Sequence, residues 1–157
     1  IVANLITPCG SLLLGLGRLA CFAAGCCHGK PTSLPVGIVF PKFSHAWRIY
    51  GSVPVHPTQL YLSTLGFLLF GLLLYLERKI DKPWVLFFIF FMLYSMGRFF
   101  IDFLRYYHPL KYINFMYINL ELSISQIIAL IIFIISIIGL FYLRITHKKV
   151  MYVHYAV

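Results

Sequence analysis

Three observations predict an all-α, polytopic transmembrane helical bundle with about four spanning helices. Hydrophobic residues make up 61% of the 157-residue chain and charged residues only 11%, a balance far from that of ordinary soluble domains. Four apolar stretches, at roughly 5–24, 58–76, 84–104 and 123–143, each reach the length of about 20 residues with which a helix crosses a hydrocarbon core of about 30 Å. Most charged and turn-forming residues gather between these stretches. The chain 1–157 therefore reads as a single integral membrane domain, without internal repeat, linker or low-complexity tract.

The first stretch carries Gly10, Ser11, Gly15, Gly17, Ala20 and Gly25. Small residues at such spacings let a neighbouring helix approach closely, which predicts a packed helix rather than a lipid-facing one. The second follows Pro57, a residue suited to the first turn of a helix, and closes in "ERKIDKP", whose charges and proline mark a short loop. The third contains "YSMGRFFIDFLRYY". The fourth, "SISQIIALIIFIISIIGLFYL", is nearly uniform isoleucine and leucine after a polar start and is predicted to face lipid. The loop at 29–55 is rich in proline, glycine and aromatic residues and is expected to hold a short hairpin or interfacial segment. The chain begins at Ile1 rather than a methionine, and further helices are expected ahead of it; its apolar opening lacks the basic flank and small-residue cleavage site of a secretory signal.

The formal charge of +9 arises from 13 Lys and Arg against Glu77, Asp81, Asp102 and Glu121. Because the basic residues flank apolar spans, they point to anionic lipid headgroups rather than to nucleic acid. Arg78, Lys79 and Lys82 occupy one short loop, and Arg144, Lys148 and Lys149 follow the last span. Lys30, Lys42, Arg48, Arg105 and Lys111 are spread over two longer loops. The positive-inside tendency, which weighs short loops, places the former side in the cytoplasm and the loop at 29–55 outside. The four cysteines form no secreted disulfide framework, since Cys26 and Cys27 are adjacent and there is no small loop-rich domain to staple.

Ionisable residues within a span are costly and mark polar interiors with partners. Arg18 lies near the outer end of the first helix, with Cys21, Gly25 and Cys26 near its face. In the third helix, Tyr94, Arg98, Asp102 and Arg105 follow one another at offsets of four, four and three, which forms one polar stripe. An Arg98–Asp102–Arg105 network holding helices together is one reading. The other rests on charge: Arg18, Arg98 and Arg105 stand against Asp102 alone near the outer interface, and the excess calls for an anion. Phosphate suits it, because a guanidinium fork binds phosphate oxygens through paired donors and keeps its charge when dehydrated. "VPVHPTQLY" adds His56, as a loop residue or a proton acceptor near neutral pH, with Gln59 and Tyr61 as orienting groups. Cys9 and Cys21 read as small packing residues. Cys26 and Cys27 stand beside His28, Lys30 and Arg18, where positive charge is expected to favour the thiolate and make them nucleophiles. The Cys21, Cys26, Cys27, His28 spacing matches no common zinc pattern, and no metal or other cofactor is expected.

"GRLACFAAGCCHGKPT", "HPTQLY", "YSMGRFFIDFLR" and "SISQIIAL" occur in an order and spacing that resembles the prolipoprotein diacylglyceryl transferases, over about Leu5 to Leu140. The resemblance implies an enzyme of the bacterial cytoplasmic (inner) membrane that moves a diacylglyceryl group from phosphatidylglycerol to the thiol of a lipobox cysteine in a preprolipoprotein, releasing glycerol phosphate. It also implies that Arg18, Arg98, Asp102 and Arg105 serve the lipid phosphate, with Tyr94 matching a family tyrosine one turn earlier; such fixed charges act where charge develops. The chain departs from the family pattern where Cys21 replaces an asparagine, Cys26 a glutamate, Leu62 an acid and Asp102 a glutamate. The family's histidine-glycine-glycine motif has no counterpart. These departures suggest a divergent branch in which His56, Cys26, Cys27 and Tyr94 are the catalytic candidates and Arg18, Arg98, Asp102, Arg105, Gln59 and Tyr61 bind substrate. A cysteine carrying a transient lipid adduct is one expectation. The alternatives are a noncatalytic phospholipid-binding membrane protein and a membrane thiol oxidoreductase using Cys26 and Cys27.

Overall fold

A computed structural model of the chain describes the backbone of residues 2–80, 82, 84–106, 112–115 and 120–154, and the side chains of 6–80, 82, 84–106 and 122–146. Asp81, Lys111 and the side chains of Glu121, Lys148 and Lys149 lie outside the described residues. The elements in chain order are α1 (Val2–Ala23), α2 (His45–Tyr50), α3 (Thr58–Glu77), α4 (Val85–Phe103), β1 (Tyr112–Phe115), β2 (Leu120–Ser123) and α5 (Ile124–His154). α1, α3, α4 and α5 are each long and apolar enough to cross a membrane. This is an all-α bundle of the predicted kind and a multi-pass membrane protein.

Two seams organise the bundle, α1 against α3 and α4 against α5, with α3 and α4 joining them. Lipid offers no hydrophobic drive for helices to associate, so close approach and hydrogen bonding must do it. At the α1–α3 seam, Ser11 Oγ donates to Gly66 O at 2.8 Å and Ser63 Oγ donates to Gly15 O at 2.9 Å. A Cβ at Gly66 would stand 2.9 Å from both Cα and N of Gly15. Backbone cannot yield as a side-chain tip can, so Gly66→Ala is expected to part the helices and cost about 1–3 kcal/mol. Unfolding in mixed detergent micelles measures this, and an unchanged midpoint would show that the seam is not close-packed.

The predicted packing of α1 holds on one face only. A Cβ added at Gly10 or Gly17 would meet nothing within 4 Å, and Leu13, Leu16 and Leu19 are exposed. Spacing alone shows that small residues share a helix, not which of them meets a partner. α5 presents Ile128, Ile131, Ile134, Ile135 and Ile138 outward, while Gln126, Ala129 and Ser136 turn inward. It runs past the expected end near 143, because a helix that has left the hydrocarbon no longer needs apolar residues. Its start is a reciprocal cap: Gln126 N donates to Ser123 Oγ at 3.2 Å and Ser123 N donates to Gln126 Oε1 at 2.9 Å, the S-x-x-Q pattern of a capping box. The β1–β2 hairpin is not anticipated by the sequence pattern.

Within the loop at 29–55, the short helix α2 is capped by Ser44, whose Oγ accepts from Trp47 N at 3.2 Å. The loop is tied to both neighbouring helices. Gly29 N donates to His56 O at 2.8 Å, Lys30 N to Leu104 O at 2.8 Å, and Tyr106 N to His28 O at 3.3 Å. A Cβ on Gly29 would stand 2.6 Å from Leu104 O, so glycine permits this approach. Residues 28–30 are thereby held between the approach to α3 and the end of α4. At the opposite end, Lys79, Lys82 and Arg144 border a cleft of about 490 Å³, which gathers on one side the cations that the sequence assigned to it.

Candidate functional site

Tyr94, Arg98 and Asp102 share the predicted stripe of α4, whereas Arg105 lies beyond the C-cap Leu104, in the segment that bridges to Gly29, and still reaches Asp102. Arg98 Nε stands 3.2 Å from Asp102 Oδ1, and Arg105 Nη1 stands 3.9 Å from the same oxygen. The Asp102 side chain is fully shielded, and those of Arg98 and Arg105 are 14% and 12% exposed. Arg18, one helix away on α1, hydrogen-bonds Tyr94 of α4. The described side chains in this region therefore carry three guanidinium charges against one carboxylate.

Arg18, Tyr94 and Arg98 line a cleft of about 250 Å³, whose other walls are Ser95 of α4 and Ser125, Ile128, Ala129 and Ile132 of α5. A second cleft of about 310 Å³ adjoins it along the α4–α5 seam. It is lined by Ser95, Met96, Phe99, Phe100, Ala129, Leu130 and Phe133. The two share Ser95 and Ala129. Ser95 and Ala129 are themselves buried at the α4–α5 contact, so a cleft carrying two guanidinium groups and an apolar groove flank the same seam between membrane-spanning helices.

The structure brings two of the three predicted arginines to the cleft. Arg105 is joined to them through Asp102 and lies outside the lining, nearer the outer segment, where residues Gly29 and Arg105 pair as an isolated bridge. His56 Nδ1 lies 3.2 Å from Tyr61 Oη, so these two form their own pair; neither lines the arginine cleft. Gln59 is buried, and its Nε2 donates to Cys26 O at 2.6 Å. It orients the cysteine turn rather than facing the cleft. Ser95 and Ser125 are lining residues that sequence reasoning missed; the polar start of α5 was the available signal.

The cysteine turn ends α1. Gly25 N donates to Phe22 O at 3.0 Å and Cys26 N donates to Cys21 O at 3.1 Å, with Gly25 at φ 65°. This is a Schellman ending, in which the residue after the left-handed glycine is folded back over the last helical turn. Cys27 also takes a positive φ of 60°, an uncommon conformation for a residue with a Cβ. The start of α3 secures the turn, as Thr58 Oγ1 donates to Cys27 O at 2.8 Å and Gln59 to Cys26 O. The expected thiolate is not favoured at Cys26. Burial, with Cys27 close by, pushes its thiol up to about 11, because desolvation penalises the charged form and outweighs the nearby cations.

The sequence pattern raises His28 as a neighbour of the cysteines and a possible metal ligand, and its side chain is buried at the outer mouth. Its ring stacks on Tyr106 at 5.8 Å. Nδ1 lies 3.1 Å from Gly29 O, which can only accept, so Nδ1 carries the proton and Nε2 accepts from His45 Nδ1 at 3.4 Å. Burial holds its pKa below the ordinary histidine range, and His45 and Arg105 reinforce that direction.

Four helices fit to span a membrane, with an arginine-lined cleft and an apolar groove on the α4–α5 seam, define a multi-pass membrane protein. The sequence model described as prolipoprotein diacylglyceryl transferase matches residues 1–142, and the chain belongs to that family. It is 41% identical over 102 residues to the phosphatidylglycerol–prolipoprotein diacylglyceryl transferase of Clostridium tetani, covering 65% of this chain and 40% of the relative. Transferase 2 of Clostridium perfringens is 38% identical over 104 residues, 66% of this chain and 40% of that protein. The Geobacter sulfurreducens transferase is 37% identical over 106 residues, with shares of 67% and 38%. The chain thus spans about two fifths of the length of these curated relatives.

Proposed function

We propose that the chain acts in transfer of a diacylglyceryl group from phosphatidylglycerol to the cysteine thiol of a lipobox-containing preprolipoprotein, in the bacterial cytoplasmic (inner) membrane. The observation that carries this reading is the arginine cleft that shares Ser95 and Ala129 with an apolar groove. Phosphate sits against Arg18 and Arg98, and acyl chains lie against the apolar wall of the same cleft, formed by Ile128 and Ile132 of α5. The acceptor sulfur forms a bond to the glyceryl carbon while the carbon–oxygen bond to phosphate breaks. The electron pair stays on the phosphate oxygen of the departing glycerol phosphate, and the thiol proton passes to a base, for which His56 is the sequence candidate. Arg18 and Arg98 stabilise the leaving charge, with Asp102 and Arg105 fixing Arg98. Direct displacement is preferred to a lipid adduct on Cys26 or Cys27, since such an adduct would be a thioether with a poor leaving group.

The test is incubation of the purified protein with labelled phosphatidylglycerol and a lipobox peptide. Labelled peptide and glycerol phosphate in equal amounts are expected. Phospholipid binding without either product would overturn the transferase reading in favour of a noncatalytic lipid-binding protein.

A further inference from the structure

Cys21, Cys26 and Cys27 place their three sulfurs within 4.8 Å of one another, although only two of them are adjacent in sequence. The Schellman ending of α1 explains the convergence. In that motif the residue following the glycine contacts the residue five positions earlier, and here those two are Cys26 and Cys21. The left-handed backbone at Cys27 turns the third thiol back to the same point, and α3 clamps the carbonyls of both later cysteines. Nothing in the lipid-phosphate chemistry uses this cluster.

We propose that Cys21, Cys26 and Cys27 form a three-thiolate binding site for a thiophilic closed-shell cation of the Cu(I) or Zn(II) kind. Sulfur-only donors select soft cations over magnesium or calcium. With metal–sulfur bonds of about 2.3 Å, three ligands around one ion stand about 4 Å apart, so the cluster needs only a small contraction. His28 is directed elsewhere, its two nitrogens engaged with Gly29 and His45, which leaves three protein donors and suits Cu(I), or Zn(II) with one further ligand from solution. On binding, the cation replaces three thiol protons, which go to solvent, and the sulfurs neither gain nor lose electrons. The loaded site carries a net charge of minus two with Cu(I) or minus one with Zn(II). Arg18 supplies balancing charge, since it stands near enough to Cys21 and Cys27 to interact electrostatically with both. The inference goes beyond lipid transfer and is independent of it.

The experiment uses the purified, reduced protein in detergent and titrates Cu(I), and separately Zn(II), against a competing chromophoric chelator. One equivalent per chain of at least one of the two is expected. Cys21→Ser, Cys26→Ser and Cys27→Ser should each weaken retention by about 100-fold or more, and Cys9→Ser should not change it. A measurement that needs no variant is alkylation followed by intact mass: the loaded protein should gain three fewer adducts than the metal-free protein. X-ray absorption at the metal edge should show a sulfur shell. Failure to retain either cation stoichiometrically, an equal number of adducts with and without metal, or a shell of nitrogen and oxygen would overturn the proposal. So would a disulfide among the three cysteines that persists in the reduced sample.

Discussion

Asp102→Asn is expected to cost about 3–5 kcal/mol. Its carboxylate is fully shielded and faces two guanidinium groups, at 3.2 Å from Arg98 Nε and 3.9 Å from Arg105 Nη1. Asparagine preserves the shape and removes the charge, so two cations remain in a poorly solvated environment with mutual repulsion where attraction stood. Deleting one partner of a buried ion pair has a cost of this order because the surviving charge keeps its desolvation penalty and loses its compensation. Asp102→Glu keeps the charge and is expected to stay within about 1 kcal/mol of the native protein, if the longer side chain repacks. Unfolding in mixed micelles separates these outcomes. A loss below about 1 kcal/mol in Asp102→Asn would show that the arginines do not depend on this carboxylate.

Arg18→Gln should raise the apparent Kd for phosphatidylglycerol by about tenfold to a hundredfold, since a hydrogen bond to a charged group contributes about 1.5–3 kcal/mol. Arg18 reaches the cleft from α1, while Arg98 reaches it from α4, so the two would meet a phosphate proposed there from different sides. Arg18→Lys is expected to recover only part of the loss. An ammonium supplies charge, but not the planar fork that meets two phosphate oxygens while also holding Tyr94. Arg105→Gln should weaken binding less than Arg18→Gln, because Arg105 acts through Asp102 and does not line the cleft. Titration into nanodiscs of defined phosphatidylglycerol content measures all three variants. Equal effects at Arg18 and Arg105 would mean that general positive charge, not the cleft, attracts the lipid.

The four spans were readable because hydropathy and length constrain a helix in lipid more tightly than any other element. The arginine stripe of α4 was readable for a related reason: a period of 3.6 residues brings Tyr94, Arg98 and Asp102 to one face whatever surrounds them, although Arg105 reaches Asp102 from beyond the helix end. Contacts between helices were not. Nothing in spacing pairs Arg18 with Tyr94, or chooses Gly15 over Gly10 and Gly17 as the point of closest approach, because these depend on helix rotation and crossing. The cysteine turn lay in between. Gly25 at the end of an apolar run signals a left-handed helix ending, and that ending implies contact between Cys21 and Cys26. At Cys26 the burial that opposes a thiolate was not visible in a sequence that shows only the neighbouring cations. Similarly, the S-x-x-Q pattern at Ser123 was a visible cap signal, whereas the use of Ser125 as a cleft wall required the position of α5.

Whether the arginine cleft and the α4–α5 seam hold a phospholipid by head and tail can be read from a phosphatidylglycerol that bears a photoreactive group beside the phosphate. Peptide mass spectrometry then finds the crosslinked residues. Labelling is predicted to concentrate at Ser95, Ser125, Ile128, Ala129 and Ile132, and to fall sharply in Arg98→Gln. Labelling spread along the outward isoleucines of α5, at the same level with and without Arg98, would contradict that placement of the lipid.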